Sequence, residues 1–304
     1  MSLKSEILDR LPYIGRLRAD NRALRASMGR FPAGHFYSPI PSETDVRRHL
    51  KQLESPLDNP CPDIELNPDA QFALLQAFAE YYPDVRWRDE QQAGLRYYFG
   101  QEMFCYADAI YLYSHLRHTP PSRIVEVGSG FSSALMLDTA EHFLSARPAI
   151  TFIEPHPERL HRLLRPDDQA WVTVIEDEVQ NVPRSVFSAL GAGDLLFIDS
   201  SHVVKAGSDL LFLFFHVIPH LPPGVIVHFH DVFYPFDYIP DWFAMGRYWN
   251  EVYFLRAFLA YNAAWRIRFF GSYVGIQHQE YLAQHMPWCL QNPGGSIYIE
   301  RESS

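Results

Sequence analysis

Residues 123–133 read RIVEVGSGFSS. Ile124 to Val127 is a short, largely apolar run, the composition of a strand buried on both faces. It passes without a spacer into Gly128-Ser129-Gly130. Ser132 to Leu144 follows, and its spacing predicts a helix. Strand, glycine turn and helix open a βαβ unit. Such a turn lets a ligand approach the backbone closely, and the helix start aims free amide N–H groups at that ligand.

Downstream the same rhythm continues. Strands are predicted at Ala149–Ile153, Val172–Ile175, Leu195–Ile198 and Val225–Phe229, with helices at Pro157–Leu164 and Ser208–Ile218 between them. Short apolar strands alternating with helices imply an α/β fold, a Rossmann-like parallel sheet with helices on both faces. Arg266–Val274 and Ser296–Glu300 read as final strands, an antiparallel pair closing the sheet. The dense aromatic set after Asp231 suits either a packed lid core or the wall of an acceptor pocket, with Arg247 and Glu251 as polar contacts in that lid.

Two features narrow the ligand. A dinucleotide fingerprint asks for G-x-G-x-x-G, and here the third position is Ser133. Glu126, two residues ahead of Gly128, would repel a pyrophosphate but suits a ligand carrying an ammonium and a sulfonium, with the helix amides taking its single carboxylate. The second strand ends in Glu154, where a carboxylate can accept from both hydroxyls of a ribose. The third leads to Asp177 and Glu178, placed for an adenine amino group or as a solvated acidic turn.

With these residues in order, residues 108–300 resemble a class I S-adenosylmethionine-dependent methyltransferase. Glu126-Val-Gly128-Ser129-Gly130-Phe-Ser132-Ser133 matches the first motif of that family, with Ser132 in place of a third glycine. Glu154 matches the second motif, and LLFIDSSH, Leu195 to His202, the fourth. The cast of these motifs, with PPGVIVHFHD at 222–231, is similar to the subgroup of catechol and macrocin-type O-methyltransferases. The resemblance implies S-adenosylmethionine as cofactor, held by Glu126, Gly128, Ser129, Gly130, Ser132, Ser133, Glu154, Asp177, Glu178 and Asp199. It implies O-methylation of a small-molecule, sugar or polyketide-like hydroxyl.

Asp199 ends the fourth strand, and His230 and Asp231 the fifth. Ligands sit at the carboxyl ends of strands in open α/β sheets, so these tips form the catalytic end. Two mechanisms are open. In the subgroup's manner, Asp199 and Asp231, joined by a histidine, hold Mg²⁺, which acidifies the acceptor hydroxyl. Otherwise His202 or His230 acts as a metal-free general base beside Asp199. Imidazole is a softer donor than Mg²⁺ prefers, which weighs against that ion. His228, one pleat deeper, reads as a satisfied core histidine. A methyltransferase-like scaffold without catalysis and a nicotinamide-dependent oxidoreductase are the rival functions. The missing third glycine argues against the second.

Composition agrees with a folded enzyme. Of 304 residues, 47% are hydrophobic and 20% charged, with a net charge of −10, and no Lys/Arg run exceeds a pair. A nucleic-acid partner is therefore not expected. The three cysteines, Cys61, Cys105 and Cys289, form no disulfide or zinc spacing. No apolar run reaches membrane-spanning length, so a cytoplasmic protein without a membrane partner is expected. Residues 1–100 read as an N-terminal helical extension and lid, and residues 101–304 as the cofactor-binding domain. Ser42 with Asp45 marks a helix start. Helices are also predicted at 69–82 and 101–117. Near the N-terminus, Ile7, Leu11, Ile14, Leu17, Leu24 and Met28 form an apolar stripe. It suits a homodimer contact with Asn21 in the seam, or an arm packed on its own domain.

Overall fold

The computed structural model describes residues 11–27, 29–54, 59–292 and 294–303, with the side chains of residues 24–27 left out. The chain divides into two compact units, residues 1–60 with 240–248, and residues 61–239 with 249–304.

In the first unit, helix α1 spans Pro12–Ser27 and α2 spans Glu43–Leu53. Ser42 caps α2 in a complete capping box with Asp45, as the sequence implies. The side chains of Leu11, just ahead of α1, and of Ile14 and Leu17 on it are exposed. Ile7, Met28 and the side chain of Leu24, part of the predicted stripe, lie outside the described residues. The short helix α9, Pro240–Ala244, belongs to the same unit, where Phe243 meets His49.

The second unit holds α3 (Pro68–Ala79), α4 (Tyr106–His118), α5 (Phe131–Phe143), α6 (Glu158–Leu163), α7 (Ser185–Ser188), α8 (Asp209–Phe212), α10 (Glu251–Leu259), α11 (Gly271–Gln277) and α12 (Gln279–His285). These accompany strands β1 (Arg123–Val127), β2 (Ala149–Ile153), β3 (Val172–Ile175), β4 (Leu195–Ile198), β5 (Ile226–Phe229), β6 (Trp265–Phe270) and β7 (Ile297–Arg301). The sheet order is β3-β2-β1-β4-β5-β7-β6. β1 to β5 pair in parallel, and β7 is antiparallel to both β5 and β6. The chain winds from β1 toward β3, then returns to place β4 on the other side of β1. That reversal between β1 and β4 leaves a crevice at their carboxyl ends, the place where doubly wound sheets take ligands.

Three helix and strand predictions need correction. Arg266–Val274 is not all strand, because Gly271 opens α11. Its amide donates to the Ser296 carbonyl, and its Cα faces the Tyr111 ring so closely that a Cβ would stand 3.3 Å away. The helix predicted from residue 101 begins only at Tyr106. The Gln101 side chain accepts from the Met103 and Phe104 amides, a local alternative to helical bonding. The helix predicted at Ser208–Ile218 is α-helical only to Phe212 and widens to a π-helical turn over Leu213–Val217.

Residues 61–100, grouped with the N-terminal extension in the sequence reading, fold with the sheet. Arg96, 3% exposed, pairs with Asp138 and Glu141 of α5 and with Asp168. Trp87 donates to Asp138, and the Phe270 amide of β6 donates to Gln71 of α3. Part of the aromatic set after Asp231 is core. Phe233, Phe236 and Tyr238 are buried, with Phe236 against Phe270 of β6.

Candidate active site

Gly128 is where the glycine turn is indispensable. It has φ +82°, and a Cβ there would stand 1.8 Å from the backbone oxygen of Asp199. The turn after β1 thus rests directly on the tip of β4. The Asp199 amide donates to Val127 and the Gly128 amide to Ile153, so three strand tips are laced at one point.

A cleft of about 440 Å³ opens over these tips. Of the residues expected to bind cofactor, Gly128, Glu154, Glu178 and Asp199 line it. Glu154 also braces the turn. Its carboxylate accepts from the Ser129 amide at 2.9 Å and from the His156 amide at 2.8 Å. Remaining lone pairs leave it able to accept ribose hydroxyls. Across the cleft, Gln180 donates to the Gly207 carbonyl at 2.9 Å.

The other expected cofactor residues do not line the cleft. Glu126 is fully buried beneath the turn, and its two oxygens accept from the Ser132 and Ser133 hydroxyls. Burial raises its pKa to about 8, against the opposing effect of the two hydroxyls, with Asp199 and Glu154 adding to the rise. Its carboxyl group therefore fixes the first turn of α5 and does not line the cleft. Ser133 also accepts from the Gly130 amide. Asp177 does not line the cleft. It accepts from the Glu178 amide and the Asn181 side chain, which closes the turn after β3 and leaves the cleft to Glu178.

Beside the cleft, three side chains from the tips of β4 and β5 converge. His202 Nε2 lies 3.4 Å from Asp199 Oδ1 and 3.6 Å from Asp231 Oδ2. His202 and Asp231 both have φ +58°, a left-handed conformation that non-glycine residues hold only where their surroundings impose it. His202 Nδ1 meets Glu251 Oε2 at 2.8 Å. Glu251 opens α10 and is 1% exposed. The Trp249 ring lies against the His202 ring at 4.3 Å between centroids.

Burial opposes a charge on His202, but Asp199 and Glu251 outweigh it and hold its pKa well above the usual histidine value. Burial works to raise Asp199, yet His230 and His202 hold it below the usual carboxylate value. Burial pushes Asp231 up, as it does Glu251.

His230 stands a step back. Its Nε2 is 3.5 Å from Asp231 Oδ1, its Nδ1 has no partner among the described residues, and its ring packs on Phe104. His228 is buried and stacked on Phe197 with 4.0 Å between centroids. It is a core histidine, but not a satisfied one, since neither ring nitrogen has a hydrogen-bond partner among the described residues. Burial keeps it neutral, far below its usual pKa.

A divalent cation fits one of two donor groups among the described residues. Asp199, His202 and Asp231 offer ligand atoms within 4.8 Å of one another. Donors about 2.0 Å from a four-coordinate ion stand about 3.3 Å apart, close to the spacing around His202 Nε2. The second group, Asp138, Glu141 and His142, does not fit, because the Arg96 guanidinium already occupies the two carboxylates.

Sequence reasoning placed Glu251 no closer than a polar contact in a lid. It overlooked the Trp249 stack and the Arg96 cluster. Glu251 is an acid at the first position of α10, a placement that helix electrostatics alone would explain.

Residues 125–232 match a family described as a methyltransferase domain. An uncharacterized protein of Archaeoglobus fulgidus is 34% identical over 164 residues, which cover 53% of this chain and 73% of that protein. Among solved structures, a methyltransferase of Podospora anserina bound to S-adenosylhomocysteine aligns at 15% identity with a TM-score of 0.40, over 88% of this chain and 100% of that one. The O-methyltransferase TomG of Streptomyces achromogenes aligns at 14% identity with a TM-score of 0.41, over 85% and 96%. No helix among the described residues is long and apolar enough to cross a membrane. The glycine turn, the residues lining the cleft and the Asp199–Asp231 centre all lie within residues 125–232, the part of this chain that matches the methyltransferase domain family.

Proposed function

We propose that this protein transfers the methyl group of S-adenosylmethionine to a hydroxyl of a small-molecule acceptor, assisted by a divalent cation held by Asp199, His202 and Asp231. The observation that carries this reading is the convergence of those three side chains at the edge of the cleft. When bound, the cofactor supplies an electrophilic methyl on a sulfonium and the cation lowers the pKa of the acceptor hydroxyl.

The chain's own residues do the rest. Glu154 accepts from the ribose hydroxyls while keeping the Ser129 amide in place. Glu178, on the opposite bank, accepts from the adenine amino group. Glu126, through Ser132 and Ser133, keeps the start of α5 fixed so that its amides face the cofactor's carboxylate. Asp199 closes the floor of the cleft and turns one carboxylate oxygen toward His202. This alignment of acceptor and methyl is the larger part of what methyl transfer needs. A metal-free base is the weaker reading, because one carboxylate would be enough to orient the ring, and it leaves the approach of both Asp199 and Asp231 to the same His202 nitrogen, at 3.4 and 3.6 Å, without a purpose.

The test is calorimetric binding of S-adenosylhomocysteine to the full chain, followed by transfer of labelled methyl to a panel of hydroxyl, amine and carboxylic acid acceptors with and without divalent cations. Cation-dependent label on hydroxyls alone is expected. Label confined to nitrogen, or transfer unaffected by a chelator, overturns the reading.

A further inference from the structure

Three consecutive residues, Trp249 to Glu251, grip the turn after β4. Asn250 accepts from the Val204 amide at 2.6 Å and donates to the Val204 carbonyl at 3.2 Å. The Asn250 and Glu251 amides both donate to the His202 carbonyl at 3.2 Å. The Glu251 side chain then reaches back to the imidazole of that same residue. Trp249 covers the ring face. One residue thus holds both the backbone and the ring of His202, in a conformation its backbone would not adopt unaided.

A carboxylate can only accept, so the proton between Glu251 and His202 sits on Nδ1. The Nε2 lone pair is then directed at the space shared with Asp199 and Asp231. Burying a carboxylate beside a histidine costs more than burying an apolar side chain of that size. Moreover, the other Glu251 oxygen has no partner among the described residues. Packing alone does not account for an acid here. A carboxylate on the far nitrogen is what fixes a histidine ring as a metal donor and strengthens it.

We propose that Glu251 is the positioning residue that presents His202 Nε2 to the cation shared with Asp199 and Asp231, and that this mixed donor set favours Co²⁺, Ni²⁺ or Zn²⁺ over Mg²⁺. The inference rests on the cation-assisted reading above. Mg²⁺ takes oxygen donors and keeps its waters, whereas imidazole suits the later divalent ions.

The experiment uses the metal-stripped full chain with S-adenosylhomocysteine bound, titrated with Co²⁺ and with Mg²⁺, for the wild type and Glu251→Gln. Co²⁺ is expected to bind at least about tenfold more tightly than Mg²⁺. Glu251→Gln is expected to weaken Co²⁺ by about 10- to 100-fold while S-adenosylhomocysteine affinity stays unchanged. In the Co²⁺-loaded wild type, proton NMR should show one strongly shifted resonance that vanishes in D2O, the Nδ1 proton held by Glu251. Equal or tighter Mg²⁺ binding overturns the selectivity, and Co²⁺ binding indifferent to Glu251→Gln overturns the positioning role. If the wild type binds neither cation, the cation-assisted reading falls as well. Should the variant lose S-adenosylhomocysteine binding through misfolding, the NMR signal decides, and its absence from the loaded wild type refutes the proposal.

Discussion

Replacing Gly128 by alanine places a methyl group where the backbone of a neighbouring strand already stands. The added Cβ meets the Asp199 carbonyl oxygen at 1.8 Å and its carbon at 2.7 Å, where ordinary contact begins at 3.4 Å. The obstruction is backbone laced into the sheet, not a side chain that can swing away. Overpacking of this kind, with a side chain forced into the left-handed region, costs about 3–5 kcal/mol. For a domain of this size that is a fall in melting temperature of roughly 6–15 °C. Gly130 is the internal control. Its φ is −179°, and a Cβ there would meet only the flexible Arg159 side chain, at 3.4 Å. Gly130→Ala should keep the wild-type melting temperature to within about 1 kcal/mol of stability. Differential scanning calorimetry of both variants, with and without S-adenosylhomocysteine, is the assay. Glycines that fail equally, or a Gly128→Ala protein that melts with the wild type, would refute the claim that the turn is pinned by Asp199.

Other consequences can be checked by standard means. Glu126, with a folded-state pKa raised from 4.5 to about 8, contributes stability that is complete below pH 4.5 and is lost as pH rises through about 8. Melting curves of wild type and Glu126→Gln should therefore diverge across that window, the wild type falling faster with pH, and parallel curves would contradict the buried, protonated carboxyl. Arg96→Met leaves Asp138 and Asp168 buried without their cation, while Glu141 keeps Arg165, and should lose about 3–5 kcal/mol in urea denaturation. His228→Phe removes two unpartnered buried nitrogens, keeps the stack on Phe197, and should gain about 1 kcal/mol. Because the depressed pKa of His228 gives stability above pH 6.5 that is lost on acidification, the variant should also resist acid better than the wild type.

Much of the frame was legible in the sequence because its signals are local. A strand, two glycines and a helix start are adjacent in the chain, so RIVEVGSGFSS announced the first βαβ unit. Acids at strand ends, such as Glu154 and Asp199, could be placed at the cleft because parallel strands present their carboxyl ends on one side of the sheet. The capping box at Ser42 and Asp45 was equally local. Side-chain direction was not. Sequence alone treated Glu126 as facing a ligand, and Asp177 and Glu178 as equivalent. Packing turned Glu126 inward to two serines and spent Asp177 on closing its own turn.

The largest gap lies at the catalytic end. Two histidines near two strand tips looked alike in one dimension, and only the fold brought His202 between Asp199 and Asp231 while holding His230 a step back. Glu251 reaches His202 across 49 positions of chain, a separation at which no periodicity or spacing rule operates. The sequence by itself determined which elements form and which strand tips carry acids, because those depend on neighbours a few residues away. Only the tertiary structure decided which side chains share a proton or a cation, because that depends on where the packed sheet and helices bring distant residues together.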